Sequence, residues 1–386
     1  MDIDTQWQQI KEMWTSTCSE VLGKTKYQQK DGISADTVNK VQVRKEKKGA
    51  INNSRTRAAK ATAQEEYTEA NRAVKNSVNT DKANFIEDLA KEAETAKPAT
   101  TQNPPDITPA EEVLQINCER PSKAEIEKAI HHMKRGKASG PDKIPAEAIK
   151  ADIETSTEIL HNLFVKIWEQ EEIPTEWKEG YLVKLPKKGD MQDCKNYRGI
   201  MLLSVPGKVI NRVILDRLKT GMDAKLRDHQ AGFRKDRSCT DQIATLRIIV
   251  EQSMEWDSSL YINFVDYEKA FESLDRDTLW KLLQHYGIPD KLISLIRNSY
   301  EDMARRVVHA GQLTDSFMVK TGVRQGCLLS PFLFLLAIDW IMKMVTTNRR
   351  NGIQWTPWSQ LEDLDFADDL ALLSHSHQQM QEKQSC

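Results

Sequence analysis

The sequence lacks the features of a secreted or membrane protein. Its six cysteines are scattered over 386 residues without a C-x-x-C spacing, so neither a disulfide framework nor a zinc site is indicated. The N-terminus has no apolar signal core, and the most apolar run, residues 328–338, is too short to span a bilayer. We therefore expect an intracellular protein, in the cytoplasm or nucleus, with reduced thiols and no membrane partner.

An excess of positive charge is also missing from the chain as a whole. The formal net charge is −2 and the isoelectric point is about 6.5, so overall charge does not indicate nucleic-acid binding. Residues 40–60 are an exception, because they hold eight lysines and arginines against one glutamate. This run is compatible with a solvated helix face and with a phosphate-binding surface.

Proline is absent from residues 1–96 and then concentrated between residues 97 and 109. Residues 55–96 have a helical composition with only a thin apolar stripe, which predicts exposed helices that need a partner surface. The distribution predicts a helical, basic linker region over 1–97, a flexible Pro/Thr-rich linker over 98–120 and a globular domain over 121–386.

The globular part mixes helical and strand patterns. Ser122 and Glu125 have the spacing of a capping box, and residues 290–300 have helical periodicity. Residues 260–266 have the character of a strand, and hairpins are expected around Gly311 and at residues 367–369. Strands joined by hairpins without regular βαβ repeats predict an α+β fold with an antiparallel sheet.

Three aspartates are candidates for metal ligation. Asp266 ends the predicted strand, and Asp368 and Asp369 lie at a predicted hairpin turn. Adjacent carboxylates repel each other unless a cation or solvent offsets their charges, and carboxylates are the ligands that Mg²⁺ prefers. Taken alone, these residues favour the ordinary interpretation, in which Asp266 caps a helix and the pair lies on a surface turn.

Six motifs occur in an ordered series along the chain. They are residues 136–142 (GKASGPD), 196–200 (NYRGI), 229–234 (HQAGFR), 264–271 (FVDYEKAF), 322–326 (GVRQG) and 366–369 (FADD). In order and spacing this series resembles the reverse transcriptase of a non-LTR, LINE-type retrotransposon, closest to the RTE-like group, over residues 122–379. The resemblance implies the fingers and palm of a right-hand polymerase, with an antiparallel palm sheet and a mainly helical N-terminal extension.

The resemblance also implies an activity and its cofactor. Asp266 and Asp368, assisted by Asp369, would ligate two Mg²⁺ ions, for which Mn²⁺ could substitute. The reaction would be DNA synthesis from dNTPs on an RNA template, in which the 3′-hydroxyl of a DNA primer attacks the α-phosphate.

Further residues have implied roles in substrate binding. Phe271 matches a steric-gate position that would exclude a 2′-hydroxyl, although core packing would also explain an aromatic residue there. Gln325 would bear on the nascent base pair, Gly326 would let the backbone approach it, and Arg198 would bind the triphosphate. Cations of the fingers would contact nucleic acid, namely Lys184, Lys187 and Arg234.

Two other interpretations stay open from the residues alone. The chain ends at Cys386, soon after the aspartate pair, so a thumb segment is expected to be missing, as is a preceding endonuclease domain. A truncated, inactive remnant that at most binds nucleic acid is therefore the main alternative. A structural helical adaptor would depend on the N-terminal segment alone.

Overall fold

The structure of the protein is a computed structural model. It describes residues 2–21, 39–40, 43–44, 46–48, 62–74, 76–77, 106–186, 196–267, 270–309, 312–346, 351–356 and 358–384. Lys187, Gly311 and most of the predicted helical stretch 55–96 lie outside these ranges. The part of that stretch that is described, including residues 62–74, is helical as predicted.

The helices are labelled in chain order. They are α1 (Ile3–Val21), α2 (Lys123–His131), α3 (Ala146–Ala151), α4 (Ile153–Gln170), α5 (Thr175–Lys178), α6 (Val205–Met222), α7 (Cys239–Glu255), α8 (Ala270–Ser273), α9 (Arg276–His285), α10 (Asp290–Tyr300), α11 (Ser330–Thr346) and α12 (His377–Gln384). Across the described residues, no helix combines the length and apolar character needed to cross a membrane.

The strands form three sheets. They are β1 (Glu179–Pro186), β2 (Tyr197–Leu202), β3 (Tyr261–Asp266), β4 (Ala304–His309), β5 (Gln312–Leu313), β6 (Phe317–Met318), β7 (Ile353–Thr356), β8 (Ser359–Leu361), β9 (Asp363–Phe366) and β10 (Asp369–Ser374). One sheet has the order β2-β1-β4-β5, with β6 also paired to β4; the second has the order β3-β10-β9, and β7 pairs with β8.

The predicted α+β class is confirmed, and the β3-β10-β9 sheet is antiparallel throughout, as expected. The other large sheet is mixed, because β1 and β4 pair in parallel. The sequence did not predict this pairing, since helices and a strand of the second sheet, β3, separate the two strands along the chain. The predicted hairpin around residue 311 is present as the antiparallel β4-β5 pair.

Local sequence signals account for several helix starts. Ser122 and Glu125 form the predicted capping box at the start of α2. Asp152 caps α4 by accepting the N–H of Thr155, and Asp275 caps α9 through Thr278. The helix predicted over residues 290–300 is confirmed as α10 with the same bounds.

Two apolar clusters hold the β3-β10-β9 sheet between helices. Leu370 and Leu372 of β10 pack on one face against buried side chains of α11, including Phe334. Ala371 and Leu373 pack on the opposite face against Ile249 of α7. The alternation along β10 follows from the two-residue period of a strand that is buried on both faces.

Helix α1 is part of the main core. Trp7 is fully buried and its ring meets that of Trp177 edge-to-face, with centroids 5.0 Å apart. The Trp7 indole donates to Glu176 Oε2 at 2.6 Å, and Lys11 forms an ion pair with the same carboxylate. The start of the predicted linker region therefore packs on the globular part, whereas the predicted boundaries at 97 and 120 stay predictions.

Candidate active site

The hairpin between β9 and β10 turns at Ala367 and Asp368. Ala367 has a φ of 60°, and it is the first central residue of a two-residue turn. A positive φ at this position is the geometry of a type II′ hairpin turn, which normally favours glycine. The turn places Asp368 at the tip of the hairpin and makes Asp369 the first residue of β10.

The antiparallel pairing of β3 and β10 brings the third aspartate to the same place. In this register Asp266 lies directly opposite Asp369, so both side chains leave the same face of the sheet. Both residues are exposed and Asp368 is half-buried. The structure therefore brings all three predicted metal-binding aspartates to one end of a single sheet.

The donor chemistry of this end suits a divalent cation. Carboxylate oxygens are the ligands that Mg²⁺ and Mn²⁺ prefer, and like charges directly opposite each other on neighbouring strands are destabilising. Within the ranges that the structure describes, however, no three side chains of His, Cys, Asp or Glu converge as a metal-binding group. The carboxylates are thus suitable ligands for the ion, and the backbone brings them to one end of the sheet, but the three side chains do not meet at a single point.

A buried charge cluster lies behind the turn and was not predicted from the sequence. The Arg227 guanidinium forms ion pairs with Asp363 and Asp365, two residues of β9 that are themselves fully buried; the contact to Asp365 is 3.1 Å long. Burial and the neighbouring Asp363 carboxylate raise the pKa of Asp365, and Arg227 opposes this shift. The sequence contains two aspartates that alternate with apolar residues in this strand. That pattern indicates a buried charge cluster only when the strand is known to be buried.

The predicted loop at residues 322–326 packs on the helix that contains Phe271. The N–H of Val323 donates to the Phe271 carbonyl at 2.7 Å. Gly322 has a φ of 74°, and a Cβ there would lie 2.7 Å from the same carbonyl oxygen. Only glycine combines this dihedral with such a close approach.

The far end of the same loop is joined to β2. The carbonyl of Gln325 accepts the N–H of Met201 at 2.9 Å, and a Cβ on Gly326 would lie 2.5 Å from the Met201 carbonyl oxygen. Arg198 is on this strand and is exposed. Backbone contacts therefore join the loop at residues 322–326 to Phe271 and to β2, the strand that carries Arg198, and these connected segments form one layer.

Phe271 is half-buried and its ring stacks on that of Phe334, with centroids 4.8 Å apart and planes 20° from parallel. The ring also packs against the cluster that contains Val265 and Leu370, each adjacent to one of the predicted metal ligands. Core packing of Phe271 is thus observed. The gate function stays a prediction.

The predicted nucleic-acid-binding cations have different surroundings. Lys184 lies over the ring of Tyr197, 5.0 Å from its centroid, and Lys187 is outside the described residues. The Arg234 side chain is only 5% exposed and donates to the Asp223 carboxylate at 3.0 Å and to the Arg227 carbonyl at 2.6 Å. Contact of Arg234 with nucleic acid would require these internal bonds to break.

Comparison with known proteins gives three findings of similarity. The family model described as reverse transcriptase (RNA-dependent DNA polymerase) matches residues 185–386. The chain is 26% identical to a transposon TX1 uncharacterized 149 kDa protein of Xenopus laevis, over 68% of this chain and 20% of that protein. It is 27% identical to a retrovirus-related Pol polyprotein from the type-1 retrotransposable element R2 of Popillia japonica, over 65% of this chain and 34% of that protein.

A telomerase from Candida tropicalis, truncated from its C-terminal domain, is a similar solved structure. The TM-score is 0.40 at 13% identity, with 58% of this chain and 51% of that chain covered. The present chain spans about a fifth and about a third of the length of the two curated relatives.

Proposed function

Because this chain belongs to the reverse transcriptase family, of the type found in non-LTR retrotransposons, we propose that it is an RNA-directed DNA polymerase. The reaction would transfer a nucleotide from a dNTP to the 3′-hydroxyl of a DNA primer paired to an RNA template. The hydroxyl oxygen would form the new bond to the α-phosphorus, the hydroxyl would lose its proton, and pyrophosphate would leave.

The observation that carries the proposal is the register of β3 and β10. It places Asp266 opposite Asp369, beside Asp368 in the turn, although the residues come from distant parts of the chain. The grouping of these carboxylates at one exposed end of a sheet has no stabilising value in itself, since it concentrates negative charge. The arrangement is useful when cations and phosphates are bound there.

The three aspartates would hold divalent cations, either Mg²⁺ or Mn²⁺. When bound, such ions neutralise charge on the phosphate oxygens and on the attacking and leaving oxygens. The chain itself contributes the fixed end of β3 and the hairpin turn, which hold the carboxylates of Asp266, Asp368 and Asp369 in the positions that substrate must approach.

The layer around residues 322–326 would bind the nucleotide. Arg198 would donate its planar guanidinium to the triphosphate, and the Phe271 ring would exclude a 2′-hydroxyl by contact with the sugar. Gln325 would contact the nascent base pair. Gly326 would permit close backbone approach, because it has no side chain.

Basic side chains would hold the nucleic acid by contacting its phosphate backbone. Lys184 is half-buried and lies on β1, next to the strand of Arg198. Lys187 and Arg234 are proposed on the motif resemblance alone. The template, the primer and a nuclear or cytoplasmic location are likewise parts of this proposal.

The experiment that tests the function is primer extension on an RNA template with dNTPs and Mg²⁺. We expect extension by the parent chain and none by Asp368→Ala. Asp315→Ala is the matched control, because Asp315 is an exposed aspartate in the loop between β5 and β6 and should leave extension unchanged. A folded parent chain that does not extend the primer would contradict the proposal, as would extension by Asp368→Ala.

A further inference from the structure

Gln230 lies directly behind the turn that holds Asp368, and its side chain is fully buried. Its Oε1 accepts the N–H of Gly232 at 2.7 Å and the N–H of Ala367 at 3.2 Å. Because both partners are N–H donors, only the amide oxygen can face them, so the orientation of the side chain is fixed.

The backbone around Gln230 follows the hairpin as closely as a neighbouring strand. Gln230 bridges in parallel to Asp365, and the N–H of Ala231 donates to the Asp365 carbonyl at 2.9 Å. A Cβ on Gly232 would lie 2.2 Å from the nitrogen of Ala367 and 2.6 Å from its Cα. The residues from 230 to 232 are therefore in van der Waals contact with the turn itself.

The turn needs such support. Ala367 has a positive φ, which is unfavourable for residues other than glycine, and persists only where the surroundings determine it. Its N–H is buried and has the Gln230 oxygen as its acceptor. Without that acceptor the Ala367 N–H would be buried and unpaired, which favours rotation of the peptide group before Ala367. Such a rotation would change the direction of the next residue, Asp368.

We propose that Gln230 is a positioning residue for the metal-binding carboxylates, acting through the Ala367 N–H on the direction of the Asp368 side chain. This inference rests on the proposed function. Gln230 does not touch the reacting atoms; it determines where the turn presents them. Arg227 supports the same hairpin further along, by its ion pairs with Asp363 and Asp365.

Gln230→Met separates this role from a general contribution to folding. Methionine has a similar length and removes the oxygen that accepts the Gly232 and Ala367 N–H groups. The Gln230 Nε2 has no hydrogen-bond partner among the described residues, so the substitution loses no bond on that side of the amide. Gln242→Met is the matched control. Gln242 donates to the His229 carbonyl at 3.0 Å and thus holds the same segment without contacting the turn.

The measurements are Mn²⁺ binding, followed by the loss of the electron paramagnetic resonance signal of free Mn²⁺, and steady-state primer extension. Loss of a group that orients metal ligands typically costs about 10–100-fold in affinity or activity. For Gln230→Met we expect Mn²⁺ binding weakened and kcat lowered by about that factor, with the KM for dNTP within about threefold of the parent. Gln242→Met should keep the parental Mn²⁺ affinity, kcat and KM.

Gly232→Ala provides a second route to the same result, because its added methyl group would push on Ala367 without removing a hydrogen bond.

Parental Mn²⁺ binding and kcat in Gln230→Met, with binding lost in Asp368→Ala, would overturn the inference. Equal losses in Gln230→Met and Gln242→Met would also overturn it, since both would then report stability. A parent chain that binds Mn²⁺ but does not extend primers would refute the polymerase function while the Mn²⁺ comparison still decides the role of Gln230. A parent that does not bind Mn²⁺ would refute both.

Discussion

Asp266 and Asp369 face each other across an antiparallel strand pair at the end of the β3-β10-β9 sheet. Neither carboxylate is buried, and no lysine or arginine among the described residues forms an ion pair with either of them within 4.0 Å. Two like charges in this position repel, which is unfavourable for folding by about 0.2–1 kcal/mol. Because a bound cation would relieve this repulsion, this end of the sheet favours cation binding.

This relationship predicts the effect of neutralising one of the two charges. In EDTA, Asp369→Asn should be slightly more stable than the parent, because the cross-strand repulsion is removed. The stabilisation that Mg²⁺ gives to the parent should shrink in the variant, since a ligand that binds only the folded state stabilises according to its affinity. Thermal unfolding with and without Mg²⁺ measures both effects, with Asp315→Asn as control. An unchanged Mg²⁺ shift in Asp369→Asn would contradict the assignment of Asp369 as a ligand.

Phe271 should discriminate against ribonucleotides. Phe271→Ala is expected to lower the ratio of kcat/KM for dNTP over rNTP by about tenfold or more, equivalent to ~1.4 kcal/mol of selectivity. Because the Phe271 ring stacks on Phe334, the substitution also removes packing. Phe334→Leu controls for this loss, since it disturbs the stacked pair but retains the aromatic ring at 271. If both variants lose selectivity equally, packing explains the effect and the gate is refuted.

The docking of α1 predicts that the N-terminal helix contributes to the stability of the whole domain. Trp7→Ala removes a fully buried indole and its bond to Glu176, and losses of buried Trp side chains cost about 3–5 kcal/mol. Trp358 is 94% exposed, so Trp358→Ala should change the free energy of unfolding by less than about 0.5 kcal/mol. Urea denaturation compares the two. Equal stability of both variants would show that α1 does not pack as described.

Asp142 predicts a pH dependence of stability. Burial raises the pKa of Asp142 to about 6, from an ordinary value of 3.8. The folded state therefore favours the protonated form, so the contribution of this group is full below about pH 4 and is lost as the pH rises towards 6. A shift of this size corresponds to roughly 2–3 kcal/mol.

Asp142→Asn should remove that loss, because the amide stays neutral and keeps an oxygen for the Ile144 N–H, which donates to Asp142 at 3.3 Å. Urea denaturation midpoints of parent and variant should be similar at pH 4, should diverge as the pH rises from 4 to 6, and should stay apart above pH 6, with the variant more stable. Parallel pH profiles would show that Asp142 does not titrate as a buried acid.

Several local elements were predictable because they depend on neighbouring residues alone. The capping box of Ser122 and Glu125, the bounds of α10 and the strand that ends at Asp266 all follow from caps, periodicity and turn residues within a few positions. The order of the motifs, compared with a known family, was enough to predict the reverse transcriptase family, and the comparison confirmed it.

Other features could not be predicted because no local pattern specifies a distant partner. Helix α7 was missed, since its buried face is narrow and several of its apolar residues, including Ile243 and Met254, remain exposed. The parallel pairing of β1 with β4 and the docking of Trp7 on Trp177 depend on contacts between remote segments. Gln230 belonged to a recognised motif, but its role required the position of Ala367 to be known.

The sequence by itself determined that the three aspartates lie at a strand end and at a turn, and at which capping residues several helices begin. These features depend on interactions between neighbours in the chain. Only the tertiary structure decided that Asp266 and Asp369 are opposite each other and that Gln230 supports the turn beside them. The physical reason is register: shifting β10 by one residue along β3 would send its side chains to the other face. That register is set by the apolar contacts of both sheet faces together, and by the segment that packs behind the hairpin.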